Sequence, residues 1–333
     1  MEYFITFVFS LFLSLFLTPI VRKIMIRLKV MDMPRESRWH QQPVALMGGI
    51  AIFVSFMASG FLRTQPDIGI IAILAGGGLI FILGILDDRL GTHPGSKFTI
   101  QAIVGIGVIC FGVVSKIFPY SWLNIFLTIF WITGITNALN LIDNMDGLSS
   151  GMAIIAAMGI FGLAIEKGES NVALLSVALA GSCVGFLRYN FKPARIFMGD
   201  CGALFAGYMI AVLAVLGGWQ HSSSMFGSLL SPVLMLSVII FDTTLVTILR
   251  VKHGKKPWHG GKDHSSHRLV HILNGKERIS VLILYGIGIG ACILGLIVVR
   301  LDSLSAIIIT LAWGILLTLF GLRLARVKCY DDM

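Results

Sequence analysis

The chain reads as a succession of long apolar runs separated by short polar connections. Runs of about 17–25 residues are long enough to cross a bilayer as helix. Eleven are predicted, near residues 3–21, 44–62, 68–86, 98–115, 119–136, 148–165, 171–187, 201–219, 226–249, 280–299 and 304–322. The first run has no basic stretch before it and is followed by Arg22 and Lys23 rather than by a cleavage site, so it is expected to be a transmembrane helix and not a signal peptide. The expected fold is all-α and polytopic, with residues 1–333 as a single integral-membrane unit and residues 250–279 as its longest polar loop.

Assigning alternate connections to opposite sides sorts the positive charges. Arg63, Lys116, Lys167 and Arg300 fall on one side and the other twenty-two of the twenty-six Lys and Arg on the other. Positive residues gather on the cytoplasmic face, which places the N-terminus outside and the C-terminus, with Arg323, Arg326 and Lys328, in the cytoplasm. Only 13% of residues are charged, about half the share in a soluble domain, so a soluble fold is excluded. In so apolar a chain the net charge of +9 reads as loops beside anionic lipid, and no nucleic-acid partner is expected. The five cysteines are scattered and show no CxxC spacing, which indicates neither a disulfide framework nor a zinc site.

The same assignment puts every polar motif on the cytoplasmic side, in the connections 22–43, 87–97, 137–147, 188–200 and 250–279. A secondary transporter, the alternative from another functional class, carries ionisable residues deep in several helices. Here only Asp242 lies deep, eight residues before Arg250 and hence roughly 12 Å below it along a helix. A carboxylate at that depth costs up to about 3 kcal/mol, so it needs a partner, either at the bottom of a cleft or in a neighbouring helix.

Asp87 and Asp88 end an apolar run in "ILGILDDRLG". Negative charge at a helix C-terminus opposes the macrodipole by roughly 0.3–1 kcal/mol per residue, and a divalent cation would compensate it. "NALNLIDNMDGLSSG" supplies Asn137, Asn140, Asp143 and Asp146, whose three-residue steps predict a drifting stripe on one helical face. "RYNFKPARIFMGDCGALFAGY" contributes Asn190, Phe197 and Asp200, the last at the start of the next run. Hard oxygen ligands of this kind suit Mg²⁺, which takes one or two carboxylates and completes its shell with substrate phosphates and water. In the 250–279 loop Asp263, His264, His267 and Arg268 fall within six residues. His264 and His267 share a face if the segment is helical, beside an arginine whose fork suits phosphate oxygens; the loop lacks the HExxH spacing of a zinc site. Carboxylates for a metal, cations for phosphates and an aromatic for a base make up a phosphoryl-transfer inventory, and the membrane setting makes one substrate a lipid.

These motifs, "PVALMGGI", "DDRLG", "NALNLIDNMDGL", "IFMGDCGALFAG" and the histidine loop, occur in the order in which they stand in the polyprenyl-phosphate N-acetylhexosamine-1-phosphate transferases, a family the chain resembles over nearly its whole length. The resemblance implies ten or eleven helices around a cytoplasmic active-site cleft and dependence on Mg²⁺, with Mn²⁺ as an alternative ion. It implies transfer of N-acetylglucosamine 1-phosphate from UDP-N-acetylglucosamine to undecaprenyl phosphate with release of UMP. That reaction would be the first membrane step toward an envelope glycan such as teichoic acid or lipopolysaccharide.

By matching motifs it implies that Asp87 and Asp88 are the catalytic pair, that Asp200 and Asp88 hold the metal, and that Lys97 meets the lipid phosphate. It further implies that Asn137, Asn140, Asp143, Asp146, Asn190, Phe197, His264, His267 and Arg268 line the nucleotide-sugar pocket, with Phe197 stacked on uracil. Relatives are often homodimers. The branch that transfers phospho-N-acetylmuramoyl-pentapeptide is the alternative within the family, but it carries three adjacent histidines and a lysine soon after the aspartate pair. Here the loop reads Asp263-His264-Ser265-Ser266-His267-Arg268, and Gly91 stands where that lysine would be.

Overall fold

The computed structural model describes residues 1–34, 42–63, 67–219, 224–258, 260–327 and 329. Its helices are α1 (Glu2–Arg27), α2 (Gly49–Arg63), α3 (Ile68–Leu90), α4 (Pro94–Cys110), α5 (Ser121–Leu141), α6 (Leu148–Lys167), α7 (Ser170–Asn190), α8 (Gly199–Gly218), α9 (Met225–Met235), α10 (Ser237–Lys252), α11 (Ser265–Ile272), α12 (Glu277–Val298) and α13 (Ser303–Ala325). Two short strands, β1 (Met31–Asp32) and β2 (Val44–Ala45), pair antiparallel with Met31 opposite Ala45.

All eleven apolar runs fall on helices, but they are not equivalent. Eight helices among the described residues are long and apolar enough to span a bilayer, and the bent pair α9–α10 makes a ninth if counted as one span; α2 and α4 are apolar but shorter. The chain is therefore a multi-pass membrane protein. The run at 226–249, expected as one helix, is broken at Leu236 and bent by 69°. Pro232 lies one turn before the break; it has no N–H to donate and its ring crowds the preceding turn, the usual origin of a sharp kink.

The central element is α8, with 94% of its apolar stretch buried, against 11% for α13. Helices α3, α5 and α6 stand around α8, while α13 turns Leu304, Ile308, Leu311 and Ile315 outward, as a helix facing lipid does. Small residues allow the closest approaches. A methyl group added to Gly49 would lie 2.2 Å from the Gly202 Cα, so α2 and α8 meet backbone to backbone.

That contact explains why α2 begins at Gly49 rather than near residue 44. Residues 44–49 are engaged with the segment before α8: Phe197 N–H donates to the Ala45 carbonyl, Gly48 N–H to the Phe197 carbonyl and Gly49 N–H to the Met198 carbonyl, each at 2.8 Å. The "PVALMGGI" and "IFMGDCGALFAG" segments thus form one bracket, which holds Phe197 and Asp200 at the mouth of the bundle.

Candidate active site

The two aspartates at the end of α3 diverge. Asp87 is buried; its Oδ1 accepts from Thr92 N–H and Thr92 Oγ1, both at 2.7 Å, and its Oδ2 accepts from the Lys97 ammonium. Asp88 points the other way, and its two oxygens accept Asp200 N–H at 2.8 Å and Cys201 N–H at 3.1 Å. These are among the amide groups at an α-helix N-terminus that have no partner within the helix. Asp88 therefore anchors the positive end of α8 against the negative end of α3. The charge at the end of α3 is compensated from within the protein, by Lys97 and by the α8 dipole, rather than by a cation alone.

Gly199, the residue before Asp200, sits at φ 74°, and a Cβ there would come within 2.7 Å of an Asp88 carboxylate oxygen. Only glycine takes up this conformation beside that carboxylate without strain.

Asp200 is the carboxylate that faces open space. Its Oδ1 accepts from Asn140 Nδ2 at 2.9 Å, its Oδ2 lies 3.5 Å from Lys97 Nζ, and its side chain is 36% exposed, against 5% for Asp87. Lys97, in the first turn of α4, thus stands between two carboxylates from α3 and α8. All four residues, with Asp88, line a cavity of about 690 Å³. Among the described residues no group of three or more His, Cys, Asp and Glu side chains forms a cage for a metal ion.

The rest of the lining comes from residues 140–146, from the end of α7, from the segment that leads into α8 and from the 250–279 loop. Asn140, Asp143, Asp146, Asn190 and Phe197 line the cavity, but the expected helical stripe does not continue past Leu141, where α5 ends; Asp143 and Asp146 lie on the turn that follows. Asn137 is not among the lining residues, and its amide is hydrogen-bonded to Gln101 and to the Thr133 carbonyl. Asn190 reaches the wall, yet its Oδ1 accepts from Gly147 N–H and Ser150 Oγ while its Nδ2 donates to the Ile196 carbonyl. It ties α6, α7 and the approach to α8 together. Asp146 likewise accepts Ala194 N–H at 2.9 Å.

The histidine loop is less of a loop than expected, since α11 occupies residues Ser265–Ile272 with His264 as its N-cap. His264 and His267 both line the cavity, their rings edge to face with centroids 5.8 Å apart. Burial, with the neighbouring His264 adding to it, pushes the His267 imidazole down to about 3, so it is neutral at pH 7. Asp242 has found its partner here, at the foot of the cavity wall: it accepts from His264 Nδ1 at 2.7 Å, from Ser265 N–H at 2.8 Å and from Ser265 Oγ at 2.5 Å. Ser266 Oγ donates to Asn144 at 2.7 Å and docks α11 on the 137–147 turn.

Two arginines exchange the places that the sequence suggested. Arg268 does not line the cavity; it is 1% exposed, and its guanidinium donates to the carbonyls of Asp263 and Val327. Arg250, expected only as one of many cytoplasmic charges, lines the cavity instead. It is as buried as Arg268: its fork donates to Asp263 at 2.8 and 2.7 Å, Nη1 donates to the Pro257 carbonyl at 2.7 Å, and Nη2 reaches His264 Nε2 at 3.4 Å. A guanidinium can only donate, so His264 Nε2 is the acceptor and Nδ1 carries the hydrogen directed at Asp242. Trp258 and Glu277 also line the cavity and have no motif signal. The only hint at Arg250 was a carboxylate, Asp263, thirteen residues on that such a fork could grip.

Known proteins resemble this chain in sequence. A family model described as "Glycosyl transferase family 4" matches residues 70–218, from α3 to the end of α8. The chain is 38% identical over 295 residues to a probable undecaprenyl-phosphate N-acetylglucosaminyl 1-phosphate transferase of Bacillus subtilis (strain 168), covering 85% of this chain and 81% of the relative. It is 33% identical over 316 residues to the decaprenyl-phosphate N-acetylglucosaminephosphotransferase of Mycobacterium leprae (strain TN), covering 84% and 79%. With the phospho-N-acetylmuramoyl-pentapeptide-transferase of Bacillus thuringiensis (strain Al Hakam) it shares 30% over 239 residues, covering 64% and 73%.

Proposed function

Because the chain belongs to glycosyl transferase family 4, we propose that it transfers N-acetylglucosamine 1-phosphate from UDP-N-acetylglucosamine to undecaprenyl phosphate and releases UMP. The observation that carries this reading is the meeting of Asp87, Lys97 and Asp200, from α3, α4 and α8, in one cavity that His264 also lines. A muramoyl-pentapeptide donor is disfavoured by the two serines that separate His264 from His267. A transporter is disfavoured because Asp242, the one deep ionisable group in the sequence pattern, is engaged by His264 and Ser265.

In this reading an oxygen of the lipid phosphate bonds to the β-phosphorus of the donor as the bond from that phosphorus to the bridging oxygen breaks, and the electron pair leaves with UMP. Two anions approach only if their charge is offset. Lys97 offsets it, and Arg250, itself paired with Asp263, holds His264 at the cavity lining, while Asp87, held by Thr92 and Lys97, orients the lipid phosphate or takes its proton. Asp88 positions Asp200 through the first turn of α8. Phe197 offers a ring to the uracil, and His264, held between Asp242 and Arg250, gives that part of the cavity a fixed ring face.

Magnesium fits this donor set. Asp200 presents a hard oxygen to the cavity, and the lack of a three-residue cage among the described residues suits an ion that takes one or two carboxylates and completes its shell with substrate phosphates. Bound there, the ion would supply Lewis-acid neutralisation of the diphosphate. Asp88, with both oxygens on amide groups, is better suited to hold Asp200 than to act as a second ligand.

The eleven apolar runs and the charge asymmetry support eleven crossings, an external N-terminus and a cavity open to the cytoplasm of the inner membrane. The decisive test offers purified protein UDP-N-acetylglucosamine or UDP-muramoyl-pentapeptide with undecaprenyl phosphate and measures UMP. The expected outcome is release with the first donor only, abolished by EDTA, restored by Mg²⁺ and lost in Asp200→Asn; release with the second donor alone overturns the assignment.

A further inference from the structure

A second concavity, of about 640 Å³, lies outside the bundle between α1 and α7. Its floor is apolar, made by Leu11 and Leu15 of α1 and by Val184, Leu187 and Phe191 at the end of α7. Its rim carries Arg188, Lys192, Arg195 and Arg278, with no carboxylate among the lining residues. The rim belongs to the segment 191–196, whose backbone is clamped from two sides. Arg22 Nε donates to the Arg195 carbonyl at 2.9 Å, and Arg278 Nε donates to the Lys192 carbonyl at 3.1 Å.

We propose that this groove binds one anionic phospholipid from the leaflet on the cavity's side, with its phosphodiester among Arg188, Arg195 and Arg278 and its acyl chains along Leu11, Leu15, Val184 and Leu187. Charge complementarity selects the headgroup: basic side chains near a membrane surface favour anionic over zwitterionic lipid, and arginine forks suit phosphate oxygens. Position selects the lipid. The floor is continuous with the lipid-facing side of α1, where Phe12 and Phe16 are exposed, so a diacyl molecule enters laterally from the bilayer without leaving it.

The site also touches the catalytic wall. Residues 191–196 separate groove from cavity: Asp146, which lines the cavity, accepts Ala194 N–H, and Lys192 is paired with Glu277, which lines it too. A headgroup that holds this segment from outside stiffens the wall carrying Asn190 and Phe197. The lipid site itself is independent of the transfer reaction assigned to the cavity.

The test uses purified full-length protein in a neutral detergent, with native mass spectrometry counting bound lipid as phosphatidylglycerol or phosphatidylcholine is titrated. One phosphatidylglycerol is expected to be retained, with phosphatidylcholine at least tenfold weaker. The Arg188→Gln/Arg195→Gln pair should weaken phosphatidylglycerol by about tenfold or more, while Arg188→Lys/Arg195→Lys keeps most of the binding. Should the glutamine pair fail to fold, Leu187→Trp, which fills the floor, is expected to remove the lipid by itself. Equal binding of the two lipids, or glutamine and tryptophan variants that bind like the parent, overturns the proposal. Stoichiometric displacement by undecaprenyl phosphate overturns it as well, since the groove would then belong to the acceptor.

Discussion

Replacing Asp242 by asparagine removes one acceptor from a group on which three donors converge. His264 Nδ1, Ser265 N–H and Ser265 Oγ approach the two carboxylate oxygens at 2.7, 2.8 and 2.5 Å, the serine pair sharing Oδ1 and the histidine alone on Oδ2. Asparagine keeps the oxygen facing the serine and puts an NH₂ where Oδ2 was. The ring must then accept at Nδ1 and carry its hydrogen on Nε2, which points a donor at Arg250 Nη2, 3.4 Å away. A hydrogen bond to a charged group contributes about 1.5–3 kcal/mol, which corresponds to roughly 10–150-fold at 1.4 kcal/mol per decade.

The expected result is a fall of that size in kcat/KM for the nucleotide sugar, measured as UMP release by enzyme that elutes as a folded species on gel filtration. Ser265→Ala removes only the Oγ–H donor and leaves both the Ser265 N–H and the histidine bond to Asp242 intact, so it should cost about 1 kcal/mol, or roughly fivefold. An Asp242→Asn enzyme within twofold of the parent would refute the positioning role. So would equal losses in the two variants, since the carboxylate would then only fasten the loop.

Arg268→Ala is expected to lower thermal stability by about 3 kcal/mol or more, because it leaves buried carbonyls at Asp263 and Val327 without their donor; Arg250→Ala should raise KM for the donor as well, and steady-state kinetics with melting curves on both separates the two roles. Gly199→Ala forces a side chain into φ 74° against Asp88, and the strain of about 1–2 kcal/mol plus the displaced anchor should abolish UMP release while the protein still inserts in membranes. Acidification should loosen the histidine loop: the His267 imidazole is pushed from 6.5 to about 3, so the unfolded form binds the extra proton and stability is lost as pH falls below about 6.5, on the order of 2 kcal/mol by pH 5. Unfolding measured between pH 7.5 and 5 should show that slope, and His267→Gln should flatten it.

Much of this was already written along the chain. The runs that become helices, the crowding of polar motifs on one side, and the candidate acids Asp87, Asp88 and Asp200 follow from length, apolar content and charge order, quantities that a one-dimensional pattern carries directly. The partner of each polar atom is not of that kind. Asp88 meets amide groups 112 and 113 residues away, and Asp242, inside α10, meets the histidine 22 residues on that caps α11. Arg250 and Arg268 are both buried cations of one loop, yet Arg250 grips Asp263 at the cavity lining while Arg268 holds the Asp263 and Val327 carbonyls away from it. Sequence thus determined which chemistry the chain brings to the membrane. Tertiary structure decided which groups remain available to a substrate, because a buried hydrogen bond engages whichever partner packing brings within about 3 Å, however distant it is along the chain.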